Sequence, residues 1–147
     1  MFILVILLTF IADQWLKIIT FKNLDPGQSL PIWQDVFHIT YVQNTGAAFG
    51  ILKGKLGFFI VLTLSIIVAI WLYRIFFLKE NLWFDISLGL IIGGATGNLI
   101  DRIRLGYVID YIDFQIWPVF NLADTAIVIG AGFLIYYLWK MEKSNSA

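Results

Sequence analysis

The chain has 147 residues, 60% of them hydrophobic and 14% charged, and its ten basic and ten acidic side chains cancel to a net charge of zero. Soluble domains carry about 45–50% apolar and about 25% charged residues, so this composition is that of an integral membrane protein, of a length that suits one domain over 1–147. Zero net charge gives nucleic acid no purchase, and the lack of cysteine excludes disulfides, thiol nucleophiles and cysteine-based metal sites.

Four segments reach the ~20 apolar residues that a membrane helix needs. The first predicted span covers about residues 2–21. It has no basic leader and runs on through Asp13, so it reads as a retained span rather than a cleaved signal peptide. A long connection follows. It opens on "DPGQSLP", a turn-rich stretch. It continues through "VFHITYVQN", where Phe37, Ile39 and Tyr41 alternate with His38, Thr40 and Gln43, with one slip at Val42. That pattern predicts a short strand or hairpin on the membrane surface. His38 is the only histidine.

The second and third spans, about 56–78 and 82–103, are joined by "KEN" alone and predict a tight antiparallel hairpin. A second long connection, from Arg104 to Asn121, reads as a loop and leads into the fourth span, about 122–139. Trp71, Tyr73, Trp83, Tyr136, Tyr137 and Trp139 fall toward span ends, as interfacial rings do. Four spans place both termini and the KEN turn on one side and both long connections on the other. Lysine and arginine divide almost evenly between the two sides, so charge does not orient the chain.

An ionisable group in the bilayer centre costs at least ~2.5–3.5 kcal/mol, so each needs a reason. Asp13 lies two thirds along span one. Asn98, Asp101 and Arg102 share one face at the end of span three, since they are three and four residues apart. Asn121 and Asp124, three apart, open span four. Asp110 follows span three, and Asn44 belongs to the first long connection. All of these fall on the long-connection side, whereas the KEN side shows only ordinary flanking charges. Gly93 and Gly97 form a small-xxx-small pair that admits a neighbouring helix.

Each residue also has a plain reading. Asp13 and Lys17 make an i,i+4 pair, with Lys17 snorkelling to the interface. Asp101 and Arg102 can tie span three to its loops. Asn121 and Asp124 fit an N-cap with a carboxylate at the third helical position. Asp113 reads as a solvated loop residue and Asp85 as an interfacial cap. Asp110 is harder to explain, because "YVIDYI" surrounds it with apolar residues.

No His-rich metal motif and no Gly-x-Ser-x-Gly occurs. Carboxylates remain in quantity, and two of them sharing a proton can cleave an amide. Four blocks resemble lipoprotein signal peptidases, the type II signal peptidases of bacteria: "ADQWLK" in span one, "NTGAAFG" after it, "GGATGNLIDR" ending span three, and "VIDYI" with "FNLAD" leading into span four. The resemblance covers essentially the whole chain, in that family's block order. It implies an all-α integral membrane fold, a four-transmembrane-helix bundle with a small extracytoplasmic β cradle. It implies an intramembrane aspartyl endopeptidase with Asp110 and Asp124 as the catalytic pair. Asn44, Gly46, Asn98, Arg102 and Asn121 would bind substrate or support the site, and Asp13, Lys17 and Asp101 would be structural. The implied substrates are diacylglyceryl-modified prolipoproteins, cut just before the lipid-bearing cysteine. The enzyme would be a monomer among membrane lipids, using no metal or cofactor. It would lie in the bacterial cytoplasmic (inner) membrane, with termini inside and the site near the outer face. The alternative is a non-enzymatic subunit of a proton-coupled transporter that uses the same aspartates as a relay. A relay needs carboxylates across the whole membrane, and the KEN half shows no buried one.

Overall fold

The computed structural model describes residues 1–46, 54–77 and 81–145. Four long helices and one small sheet follow the order α1 (Phe2–Asn23), β1 (Ser29–Trp33), β2 (Phe37–Asn44), α2 (Leu56–Phe77), α3 (Leu82–Leu105), β3 (Val108–Asp113) and α4 (Leu122–Asn145). All four helices are long and apolar enough to cross a membrane. Residues 79–80 of the KEN turn, and 47–50 at the end of "NTGAAFG", lie outside the described residues.

α3 is the central helix, buried along most of its length, whereas α2 is almost wholly exposed. Glycine explains how α3 takes this place. Gly89, Gly93 and Gly97 recur every fourth residue and so form one stripe. A Cβ on Gly89 would strike Val5, one on Gly93 would strike Thr9, and one on Gly97 would strike Asp13. These partners are also four apart, and they ascend together, so α1 and α3 run parallel in close contact. Gly94 faces the Ala123 carbonyl on α4, while Gly130 of α4 faces the Ser87 carbonyl on α3. That second pairing runs antiparallel. Without a hydrophobic drive between helices in lipid, close backbone approach of this kind supplies the packing. The large apolar side chains left outside, such as Leu8, Ile11, Val61 and Val128, are 59%, 59%, 65% and 70% exposed, as suits lipid-facing positions.

The strands form an antiparallel sheet in the order β1-β2-β3. β2 opposes β3 with Ile39 against Ile112 and Val42 against Asp110. One strand advances three residues while the other advances two, which is a β-bulge. The slip in alternation at Val42 therefore has a structural counterpart. The bulge turns Tyr41 inward, where it is 1% exposed and packs with Ile109 and Tyr111. Pro31 sits on the edge strand β1, the place in a sheet where a missing N–H costs least. At the end of α3, Gly106 takes the left-handed conformation (φ 82) and its N–H donates to the Arg102 carbonyl at 3.2 Å. This C-terminal cap turns the chain directly into β3.

Several expectations need correction. The second connection is not merely a loop, since it contains β3, and "DPGQSLP" is turn only in its first half before β1 begins. Asp113 is not a solvated loop residue. It ends β3, is 8% exposed, and accepts hydrogen bonds from the Thr40 hydroxyl at 2.6 Å and the Gln115 N–H at 2.8 Å. Lys17 does not snorkel; it is 2% exposed, because three acceptors meet it inside the bundle. Asp85 is not the helix cap. Asn81 fills that role by accepting the Phe84 N–H at 3.2 Å, while Asp85 is 7% exposed and accepts from Arg74 Nε at 2.7 Å. The terminal end of the bundle thus does hold a buried carboxylate.

Candidate active site

The N-terminus of α4 is the organising feature. The first N–H groups of a helix have no partner inside it. Here acceptors come from two other elements and from the residue that precedes the helix. The Leu122 N–H donates to the Tyr111 hydroxyl from β3 at 3.2 Å, and the Ala123 N–H donates to Asp13 Oδ1 from α1 at 2.9 Å. The Asp124 N–H donates to Asn121 Oδ1 at 2.9 Å, and the Asn121 N–H returns a bond to Asp124 Oδ2 at 3.3 Å. Asn121 and Asp124 therefore form a reciprocal capping box. The cap and the candidate catalytic group are the same residue.

Lys17 sits beneath this end. An ammonium has three donors, and Lys17 uses one each on Asp13 Oδ2 at 2.9 Å, Asp101 Oδ2 at 2.8 Å and Asn98 Oδ1 at 2.9 Å. A buried charge is tolerable only when it is paired and hydrogen-bonded in this way. The absent side chain of Gly97 gives Asp13 its room. Asp101 also accepts the Ile109 N–H of β3 at 3.2 Å and the Gln14 amide at 3.0 Å, so it fastens α3 to the strand that carries Asp110.

Because Asn98 Oδ1 accepts from Lys17, its amide nitrogen must face the other way, and it donates to Asp124 Oδ1 at 2.8 Å. The Asn121 amide nitrogen donates to Asn98 Oδ1 at 3.1 Å and to Asp110 Oδ1 at 2.6 Å. Asn44, at the end of β2, donates to Asp110 Oδ2 at 2.9 Å and accepts the Gly46 N–H at 3.0 Å. The two carboxylates are thus held by three amides, from β2, α3 and the residue before α4, and both border one cavity of about 1040 Å³. Asp110 is 2% exposed. Burial, with the Asp124 carboxylate second, pushes its carboxyl up to about 7, against the lowering effect of the Asn44 and Asn121 hydrogen bonds. Burial likewise pushes the neighbouring Tyr111 hydroxyl up, which leaves it a neutral acceptor for the Leu122 N–H.

Arg102 lines the same cavity. Its guanidinium donates to the Gly46 carbonyl at 3.4 Å and lies 5.2 Å from the centre of the Phe59 ring, so it ties α3 to the segment just after β2 and to α2. The rest of the lining is mainly apolar. Thr63 and Ile66 of α2, Ile91 and Ala95 of α3, and Ile127 and Val128 of α4 extend it from the carboxylates along the helices.

The structure thus brings Asp110, Asp124, Asn44, Gly46, Asn98, Arg102 and Asn121 to one site, with Asp13, Lys17 and Asp101 packed behind it. Sequence reasoning missed Gln14 and Tyr111. Gln14 lies inside "ADQWLK" beside Asp13, and its position was its only signal. Tyr111 looked like part of an apolar run. Among the described residues, no group of three acidic or histidine side chains could hold a metal ion.

Comparison with known proteins matches residues 5–140 to the family model described as signal peptidase (SPase) II. A lipoprotein signal peptidase of Halothermothrix orenii is 53% identical over 140 residues, covering 95% of this chain and 96% of that protein. One from Clostridioides difficile is 43% identical over 147 residues, covering 99% of each. A bacterial membrane enzyme solved by the in meso method at 2.3 Å superposes with a TM-score of 0.91 at 36% identity, over 99% of this chain and 90% of that one. With that match spanning nearly its whole length, on four membrane-length helices and a small sheet, the chain belongs to the signal peptidase II family of bacterial membrane peptidases.

Proposed function

We propose that the chain is an aspartyl endopeptidase that removes signal peptides from diacylglyceryl-modified prolipoproteins, cutting just before the lipid-bearing cysteine. The observation that carries this reading is the meeting of two carboxylates, the buried Asp110 and the half-buried Asp124, at the polar end of a mainly apolar cavity. In the resting site Asp110 holds the proton, as its carboxyl at about 7 supports, and Asp124 is the carboxylate. Asp124 takes a proton from water, the hydroxide adds to the scissile carbonyl carbon, and Asp110 gives its proton to the carbonyl oxygen. In the collapse the C–N bond breaks. Asp124 returns its proton to the leaving amine of the modified cysteine, and Asp110 takes back the proton of the diol. Asn98 and Asn121 hold the two carboxylates in place, while Asn44, Gly46 and Arg102 border the path of the peptide backbone.

The apolar stretch of the cavity between α2, α3 and α4 suits an apolar signal segment beside acyl chains. The polar end lies at the membrane boundary, which in this reading is the outer face, with the termini in the cytoplasm and the sheet on the outer leaflet. The enzyme works as a monomer. The transport reading gains one point from the buried Asp85. However, α3 rises about 20 Å from Asp85 to Asn98 with no ionisable side chain between them, too far for a proton relay.

The test is cleavage of a synthetic signal-peptide segment by purified protein, with and without the diacylglyceryl group on the cysteine. Cleavage of the lipid-bearing peptide before the cysteine, with loss of at least about tenfold without the lipid, is expected. Equal rates on both peptides would contradict the substrate assignment.

A further inference from the structure

The only histidine of the chain takes no part in the site described above. On one face of the sheet, four side chains from three strands touch in series. His38 Nδ1 lies 3.0 Å from Ser29 Oγ, Ser29 Oγ lies 2.8 Å from Thr40 Oγ1, and Thr40 Oγ1 lies 2.6 Å from Asp113 Oδ2. The backbone register places His38 between Pro31 of β1 and Asp113 of β3. His38 Nε2 is buried and is the one buried side-chain nitrogen or oxygen among the described residues without a hydrogen-bond partner.

Hydrogen counting gives this series a direction. A carboxylate only accepts, so the Thr40 hydroxyl must spend its single hydrogen on Asp113. Thr40 can then only accept from Ser29, and Ser29, its hydrogen used, can only accept from His38. The proton on the neutral imidazole therefore belongs on Nδ1, and Nε2 keeps a bare lone pair, which is the cheaper state for a buried nitrogen with no partner. A second proton on the ring would have to go to Nε2, placing a buried donor where no acceptor stands, and an unmet buried donor is costly.

We infer that His38, Ser29, Thr40 and Asp113 form a proton-ordered latch that holds the β1–β2 hairpin against β3 at neutral pH and releases it in acid. Release lets the edge strand β1 move until Nε2 reaches water. Asn44, which holds Asp110, stands at the far end of β2, so the latch and the site share a strand. The other titratable groups around His38 do not replace it. β1 carries none. The turn after it carries Asp35, whose carboxylate accepts from Gln34, and Asp25 lies in the turn before β1. On β2 the Tyr41 hydroxyl faces Tyr107 instead, and on β3 Asp110 turns to the cavity while Tyr111 meets α4.

Because there is a single histidine, ¹⁵N-histidine labelling of the full-length protein in lipid nanodiscs, carrying a histidine-free tag, reports this ring alone. The expected spectrum at about pH 7.5 shows Nδ1 protonated and Nε2 bare; the opposite tautomer would overturn the ordering. Ser29→Ala cuts the series, and a mixture of tautomers is expected; an unchanged tautomer would overturn the claim that the series sets it. Amide exchange of residues 29–44, corrected for the intrinsic effect of pH, is expected to speed up at least about threefold from about pH 7.5 to 5.5 in the unaltered protein. In His38→Asn, which keeps a donor toward Ser29 but does not titrate, no such change is expected. The same acceleration in His38→Asn, or none in the unaltered protein, would overturn the latch.

Discussion

Asp110 carries a carboxyl buried on β3 beside a second carboxylate. Its carboxyl is pushed from 3.8 up to about 7 by burial, with the neighbouring Asp124 carboxylate second. The sign of the consequence follows. An acid that is easier to protonate in the folded state adds stability below pH 3.8 that is lost as pH rises through about 7. Melting temperature should therefore fall between about pH 4 and 7, by an amount equivalent to a few kcal/mol, and the fall should shrink in Asp110→Asn. A pH series of thermal unfolding on both proteins checks this; equal slopes would show that Asp110 does not titrate there. In the proposed reaction the same group must hold a proton, so kcat/KM should also decline as pH rises past about 7. In the proposed reaction, the stability given up at this residue serves the chemistry.

At the scale of elements, α3 is held by what it lacks. Gly97 lets Asp13 come close enough to accept both Lys17 and the Ala123 N–H of α4. Gly97→Ala should push Asp13 away, uncap α4 and destabilise the bundle by about 1–3 kcal/mol, with a loss of peptidase activity that exceeds the loss of folded protein. Gly132→Ala is the control, since nothing lies within 4 Å of its added carbon, and no loss is expected. Thermal stability and activity of the two variants in one detergent decide the matter; equal behaviour would contradict the packing role of Gly97. The spans were legible in the sequence because twenty apolar residues in a row have one use in a membrane. The bulge showed as a broken alternation at Val42. β3 was not legible, because "VIDYID" is short and its two acidic residues, though buried in the fold, mimic a polar loop in the sequence. Asp113 and Asp85 were misread for the same reason: sequence gives the charge, and only the fold gives the partner, Thr40 in one case and Arg74 in the other.

At the scale of the whole molecule, the polar residues from α1, α3, β2, β3 and α4 form one connected network at one end of the bundle. Lys17 orients Asn98, Asn98 holds Asp124, and Asn121 joins Asp124 to Asp110. Helical spacing revealed which residues share a face, and so which end of the bundle they occupy. It also marked Asn121 and Asp124 as a cap, which the reciprocal bonds bear out, but it could not reveal that Asp13 caps a helix more than a hundred positions away in the chain. The central claim is that Asp110 and Asp124 act as a pair on one water. Its most direct test is cleavage of a lipid-modified signal peptide by purified Asp110→Asn and Asp124→Asn variants, each shown to be folded by its helical circular dichroism and melting transition. The expected result is a fall of at least about a thousandfold in kcat for each variant alone. A folded variant of either kind that cleaves within about tenfold of the unaltered enzyme would contradict the pair.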